Sequence, residues 1–116
     1  MPLCYRDPRR AGRFAEWLDV AKGVSGVYVF RAAWTGRVEY VGESHTGALY
    51  KTITRHFWSW PDGRRPHYVV PLIQPVQLAV RVTSAARARE VQDRLEARLR
   101  PTYSDKRPAY TDDVPF

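Results

Sequence analysis

The pattern of hydrophobic and polar residues predicts a β-strand in each of three stretches of the chain. Gly26–Ala32 is rich in aromatic and β-branched residues. A similar stretch, Arg37–Gly42, follows the turn Trp34–Gly36, which is typical of a β-hairpin. Val76–Thr83 alternates apolar with polar or small residues, so it predicts a third, half-buried strand.

Three other stretches carry apolar residues at helical spacing. The first follows Asp7-Pro8, has its stripe at residues 14, 17, 18 and 21, and ends at Lys22-Gly23. The second is Ala48–Trp58, and the third begins at Ser84 and runs to Arg100, just before Pro101. The predicted fold is therefore an α+β domain, with a three-stranded antiparallel sheet flanked by helices and an extra N-terminal helix.

The length of 116 residues fits a single domain. We divide the chain into an N-terminal helical extension at 1–24, a core domain at 25–104 and a C-terminal tail at 105–116. The first residues are basic, and no apolar run is long enough to cross a bilayer, so we expect a cytoplasmic protein without a membrane partner. The single cysteine, Cys4, excludes an internal disulfide and a zinc site built on several cysteines.

Charge points to a polyanionic partner. Nineteen Lys and Arg stand against twelve Asp and Glu, a formal net charge of +7, and sixteen of the nineteen cations are Arg. The planar guanidinium matches phosphate oxygens, and binding of nucleic acid by such a surface gains free energy from counterion release. An arginine-rich composition that only keeps the protein in solution is the alternative.

Two short motifs on the hairpin resemble those of the GIY-YIG nuclease superfamily. They are Gly26-Val27-Tyr28 on the first strand and Tyr40-Val41-Gly42 on the second. The stretch Leu49–Phe57 is similar to the first core helix of that family, which often ends in His-Phe, and the later strand and helix follow in the family's order. The resemblance covers residues 25–104.

The resemblance implies a metal-dependent endonuclease that hydrolyses phosphodiester bonds, in DNA more than in RNA. Tyr28 and Tyr40 would surround the attacking water and the scissile phosphate, and His56 would help to activate the water. An unperturbed phenol titrates near about 10, so a tyrosine acts as a base only with help from a neighbouring group. The family's divalent cofactor implies Mg²⁺ or Mn²⁺ here.

The chain departs from the family at three positions, and at one of them Ser104 stands where an asparagine often follows the proline. Thr52 stands where the family has an arginine, so we expect Arg55, about one helical turn later, to contact the phosphate. Gln92 stands where the family has its metal-binding glutamate. The expected metal ligands are Glu43 in the loop after the second strand, Glu96 one turn beyond Gln92, and Gln92 itself.

Aromatic and basic residues near the second helix predict a nucleic-acid contact surface. Arginine neutralises phosphates and exposed tryptophan stacks on bases, and the alternative is that the tryptophans cap the small core. The expected contact residues are His45, Lys51, Trp58, Arg64 and Arg65.

Two other functions are open to this sequence. A nucleic-acid-binding module that kept the fold and lost cleavage is favoured by Thr52 and Gln92 and opposed by the tyrosines and His56. A protein-interaction domain, such as an inhibitor or an assembly factor, would need no basic cleft around the tyrosines. For a nuclease of this size, targeting would come from a partner protein, or the enzyme would cut with little sequence preference.

Overall fold

The computed structural model describes residues 3–57, 68–71 and 74–103. A three-stranded antiparallel sheet forms its centre, in the order β4-β3-β5. The strands are β3 at Ser25–Ala32, β4 at Val38–Ser44 and β5 at Val76–Thr83. The predicted α+β fold with an antiparallel sheet and helices is confirmed at this level.

The middle strand β3 is buried along almost its whole length because a helix layer covers each face of the sheet. Helix α1 at Leu49–Thr54 continues into a 3-10 turn at Arg55–Phe57 and packs, with Leu49 and Ile53, in one hydrophobic cluster. Helix α2 at Ala85–Leu99 packs in the other cluster through Leu95. We call these the α1 face and the α2 face of the sheet.

Strand pairing decides which residues reach each face. Tyr28 lies opposite Gly42, and Phe30 lies opposite Tyr40, so these residues share the α1 face. Their neighbours Val27, Val29 and Val41 point to the α2 face, as period-two geometry requires. Both family-like tyrosines therefore lie on the same side of the sheet.

The N-terminal segment does not form the predicted amphipathic α-helix. Strands β1 at Arg9–Arg10 and β2 at Arg13–Phe14 make a short hairpin, and a 3-10 helix follows at Glu16–Ala21. Ala11 and Gly12 adopt positive φ angles of 54° and 79°, which reverses the chain and breaks the helical stripe. The apolar residues of the stripe are still used, since Leu18 and Ala21 are buried in the α1-face cluster.

The same segment also joins the sheet. The backbone N–H of Arg6 donates to the carbonyl of Leu78 at 2.9 Å, and the N–H of Leu78 donates back to Arg6 at 2.8 Å. Residues 3–24 thus pack on the core of the sheet domain, against β5 and α1.

Candidate active site

His56 is held between the side chain of Tyr28 and the backbone of Tyr68. The Tyr28 hydroxyl oxygen lies 2.7 Å from Nε2 of His56, and Nδ1 of His56 lies 2.6 Å from the carbonyl oxygen of Tyr68. A carbonyl oxygen can only accept, so Nδ1 carries the proton in that bond. In a neutral imidazole Nε2 is then the acceptor, and the Tyr28 hydroxyl donates to it.

The local fold explains why these groups meet. The 3-10 turn that ends α1 brings His56 over the sheet, and the N–H of Val70 donates to the His56 carbonyl at 2.7 Å. The Tyr28 ring lies across Gly42 on the neighbouring strand. A Cβ atom at Gly42 would be 2.3 Å from the Tyr28 hydroxyl oxygen, so only glycine leaves room for this ring.

Tyr40 completes an aromatic cluster around His56. Its ring centroid lies 4.9 Å from that of His56, and it stacks on Tyr68 at 5.7 Å with an interplanar angle of 8°. Tyr28, Tyr40 and His56 are only 2%, 4% and 5% exposed. The structure therefore brings together three of the four predicted catalytic residues, in a buried position.

Tyr68 is a member of this cluster that the sequence interpretation missed. The available signal was the short apolar run Tyr68-Val69-Val70 before Pro71, in which Tyr68 and Val70 are buried and Val69 is exposed. Burial first, and then the nearby Glu39 carboxylate, raise the pKa of the Tyr68 hydroxyl above its ordinary value. Among the described residues this hydroxyl has no hydrogen-bond partner of good geometry.

Of the three helix residues near the family's arginine position, one makes a structural hydrogen bond and two are exposed. The Thr52 hydroxyl donates to the Ala48 carbonyl at 2.8 Å, so it serves the first turn of α1. Arg55, the fourth predicted catalytic residue, is exposed immediately before His56. Lys51 is also exposed, as a nucleic-acid contact would need to be.

Glu43 lies on a strand and not in the loop that the sequence predicted. Pairing of β4 with β3 continues through Glu43 and Ser44, opposite Val27 and Gly26, so the strand is longer than its apolar pattern. Strand alternation turns Glu43 to the α2 face. There its carboxylate lies 3.1 Å from Nδ1 of His45 and 3.9 Å from Nε of Arg89.

Gln92 and Glu96, the other predicted metal ligands, are on α2. Gln92 is 2% exposed, and its side-chain nitrogen donates to the Val41 carbonyl at 3.3 Å. Glu96 is half-buried one helical turn further along. The amide of Gln92 therefore ties α2 to strand β4.

The described donor atoms do not fit a divalent metal site beside the tyrosines. Glu43 and α2, which carries Gln92 and Glu96, belong to the α2 face, whereas Tyr28, Tyr40 and His56 belong to the α1 face. Within residues 3–57, 68–71 and 74–103, no group of three or more His, Cys, Asp or Glu side chains converges as a metal site would require. Three predicted contact residues, Trp58, Arg64 and Arg65, lie outside the described residues.

No family model, curated protein or solved structure matches this chain. In the described part of the chain, none of the helices combines the length and the apolar character needed to cross a membrane.

Proposed function

We propose that this protein is an endonuclease of the GIY-YIG type, which hydrolyses phosphodiester bonds in nucleic acid and acts on DNA in preference to RNA. The observation that supports the proposal is the hydrogen bond of 2.7 Å between Tyr28 and His56. It joins a phenol from the first motif to an imidazole whose acceptor nitrogen faces that phenol. This arrangement suits proton transfer from a water molecule, because the two side chains form a relay.

In the proposed step, an attacking water gives a proton to the Tyr28 oxygen while the phenol proton passes to Nε2 of His56. The water oxygen forms a bond to phosphorus, the phosphorus–oxygen ester bond breaks, and the leaving oxygen takes up a proton from solvent. His56 becomes an imidazolium, and its Nδ1–H remains bonded to the Tyr68 carbonyl at 2.6 Å. That bond favours the charged ring, since hydrogen bonds to charged groups are the stronger ones.

Charge on the exposed side chains supports a phosphate substrate. Arg55 and Lys51 are exposed around the α1 end of the site, and the whole chain has a formal charge of +7. Dependence on Mg²⁺ or Mn²⁺ is part of the proposal through the family resemblance alone, and no step is assigned to the metal because the described donors do not fit one. An EDTA control tests that dependence directly.

The test is cleavage of labelled single- and double-stranded DNA and RNA in Mg²⁺, Mn²⁺ or EDTA. We expect Tyr28→Phe to lower the rate by about 10²- to 10⁴-fold, the usual contribution of a positioned acid or base. Tyr40→Phe tests the second motif, and Tyr50→Phe is the matched control, since Tyr50 lies on α1 outside the His56 hydrogen bonds. A Tyr28→Phe enzyme that keeps full activity would exclude the proposed relay.

A nucleic-acid-binding module without cleavage is the second candidate, and two observations favour it. Thr52 and Gln92, which replace the family's arginine and glutamate, both make structural hydrogen bonds. Tyr28, Tyr40 and His56 are at most 5% exposed, as core residues would be. Binding of nucleic acid without cleavage in any metal would establish this candidate and end the nuclease proposal.

A further inference from the structure

A groove lined by arginines lies on the α2 face, away from the tyrosine cluster. It has a volume of about 340 Å³. Its lining residues, which we name the α2 arginine groove, are Arg81, Arg87, Val91, Arg94, Leu95 and Arg98.

The topology explains why this groove forms. Helix α2 packs mainly on β4 and β3, so it leaves β5 less covered on that face. Arg81 of β5 lies opposite Val27 and therefore points to the α2 face, beside the helix. Three arginines of α2 recur at intervals of seven and four residues, which places Arg87, Arg94 and Arg98 in one stripe along the helix.

Glu90 forms exposed ion pairs with two arginines of this stripe. Glu90 lies 3.5 Å from Arg87 and 2.9 Å from Arg94, but all three side chains are at least half exposed. Exposed ion pairs of this kind contribute little to stability, so a phosphate can displace Glu90 at little cost. Arg98 is also exposed.

We propose that the α2 arginine groove binds the phosphate backbone of a nucleic-acid strand, as a second contact surface on the side of the sheet opposite Tyr28. From Arg87 to Arg98 the stripe extends about 16 Å along the helix axis, at a rise of 1.5 Å per residue. One strand of duplex DNA places about five phosphates in that length. Guanidinium groups bind such oxygens in pairs.

The inference rests on the proposed function only for the identity of the polyanion. Binding measured without cleavage tests the groove separately from the nuclease activity. Fluorescence anisotropy of a labelled 20-nucleotide single strand and a 20-base-pair duplex, both in EDTA, gives the affinity of the full chain. The variant is Arg94→Glu with Arg98→Glu. The matched control is Arg10→Glu with Arg13→Glu, which changes the same charge on the exposed β1–β2 hairpin beside α1.

We expect the α2 variant to bind at least about tenfold more weakly at low salt, and its plot of log affinity against log salt to lose a slope of about 2. The hairpin control should change affinity less than threefold. Arg94→Lys with Arg98→Lys, which keeps the charge and loses the guanidinium fork, should bind more tightly than the glutamate variant and more weakly than the wild type. Thermal melting should show that all variants are folded.

Equal losses in the α2 variant and the hairpin control would overturn the inference, since net charge alone would then explain binding. Unchanged affinity in a folded α2 variant would overturn it as well, while cleavage that depends on Tyr28 would still support the nuclease. Inorganic phosphate and anionic phosphatidylserine vesicles are the competitors. Vesicle binding that needs Arg94 and Arg98, without oligonucleotide binding, would assign the groove to a lipid surface and contradict the proposal.

Discussion

At the scale of single residues, the Tyr28 ring leaves no room for a side chain at position 42. A Cβ atom at this position would lie 2.3 Å from Cζ of Tyr28, in space that the ring already occupies. The glycine of the Tyr-Val-Gly motif therefore has a packing role as well as a place in a family pattern. Its absence of a side chain allows the phenol to reach His56.

We predict that Gly42→Ala lowers the free energy of unfolding by about 1–3 kcal/mol, the usual cost of forcing extra volume into a packed site. Chemical denaturation measures the loss. In a Tyr28→Ala background the same substitution should cost much less, because the clashing ring is gone. An equal cost in both backgrounds would mean that the ring is not what Gly42 accommodates.

Tyr68 gives a prediction about pH. Its pKa is raised by burial and then by Glu39, so the folded protein keeps the phenol proton where the unfolded chain loses it. Stability from this group is complete below the unfolded pKa of about 10 and falls as pH rises above it.

We expect Tyr68→Phe to reduce the loss of stability between pH 9 and pH 11, with a smaller change at pH 7, since the buried hydroxyl has no well-aligned partner within the described residues. Urea unfolding at the three pH values measures this. The matched variant is Tyr50→Phe, at a half-buried tyrosine on α1 that does not contribute to the raised pKa of Tyr68, and it should leave the pH dependence as it is. A steep fall that persists in Tyr68→Phe would assign the effect to other groups.

At the scale of elements, the predictions were most accurate where the spacing of apolar and polar residues alone determined the type and bounds of the element. Strict alternation predicted β5 over Val76–Thr83 with its observed bounds, and the helix predicted from Ser84 to Arg100 is α2 at Ala85–Leu99. The end of β4 depended instead on the strand with which it pairs. β4 runs on to Ser44 because β3 is there to pair with it, and no local pattern in Glu43-Ser44 carries that information.

The candidate site was predictable in part, for the same reason. The family resemblance pointed to Tyr28, Tyr40 and His56, and the two paired strands and the turn after α1 bring these residues together. Tyr68 comes from a segment between α1 and β5 whose path depends on tertiary contacts with His56. The side of the sheet reached by Glu43 depended on strand pairing that continues to Ser44, two residues beyond the predicted end of the strand at Gly42.

The end of α2 offers a test of local backbone strain. Arg100 closes the helix with φ of 50° and ψ of 64°, a left-handed conformation that favours glycine. We predict that Arg100→Gly raises the free energy of unfolding by up to about 1 kcal/mol. Arg98→Gly, two residues earlier inside the helix, should lower it by about 1 kcal/mol. Thermal melting of the two variants should therefore shift in opposite directions.

At the scale of the whole molecule, the N-terminal segment belongs to the same folded unit as the sheet. The predicted boundary between an N-terminal extension and the core domain was placed at residue 24, just before the Gly26-Val27-Tyr28 motif. The hydrophobic core nevertheless includes Leu18 and Ala21, which precede that boundary. Phe14 also packs edge-to-face on Phe57 at 5.2 Å, beside the turn that holds His56. The segment thus supports both the core and the position of the candidate relay.

We predict that deletion of residues 1–24 abolishes cooperative unfolding, because it removes two buried core residues and the bonds of Arg6 to β5. Circular dichroism during heating measures cooperativity. The less drastic change Leu18→Ala should destabilise the full chain by about 2–5 kcal/mol and leave it folded. A deletion variant that melts cooperatively at the same temperature would show that residues 25–104 fold on their own.

The pairing of Arg6 with Leu78 also covers part of an outer edge of the sheet. Strand β5 is an outer strand of the sheet, and Val82 near its end is 47% exposed. A bare strand edge with apolar side chains can recruit the edge of another copy and begin a β-aggregate. By occupying part of this edge with its own backbone, the N-terminal segment makes the outer side of β5 a poorer template for aggregation. Storage and purification that protect the N terminus from proteolysis should therefore keep the protein monodisperse.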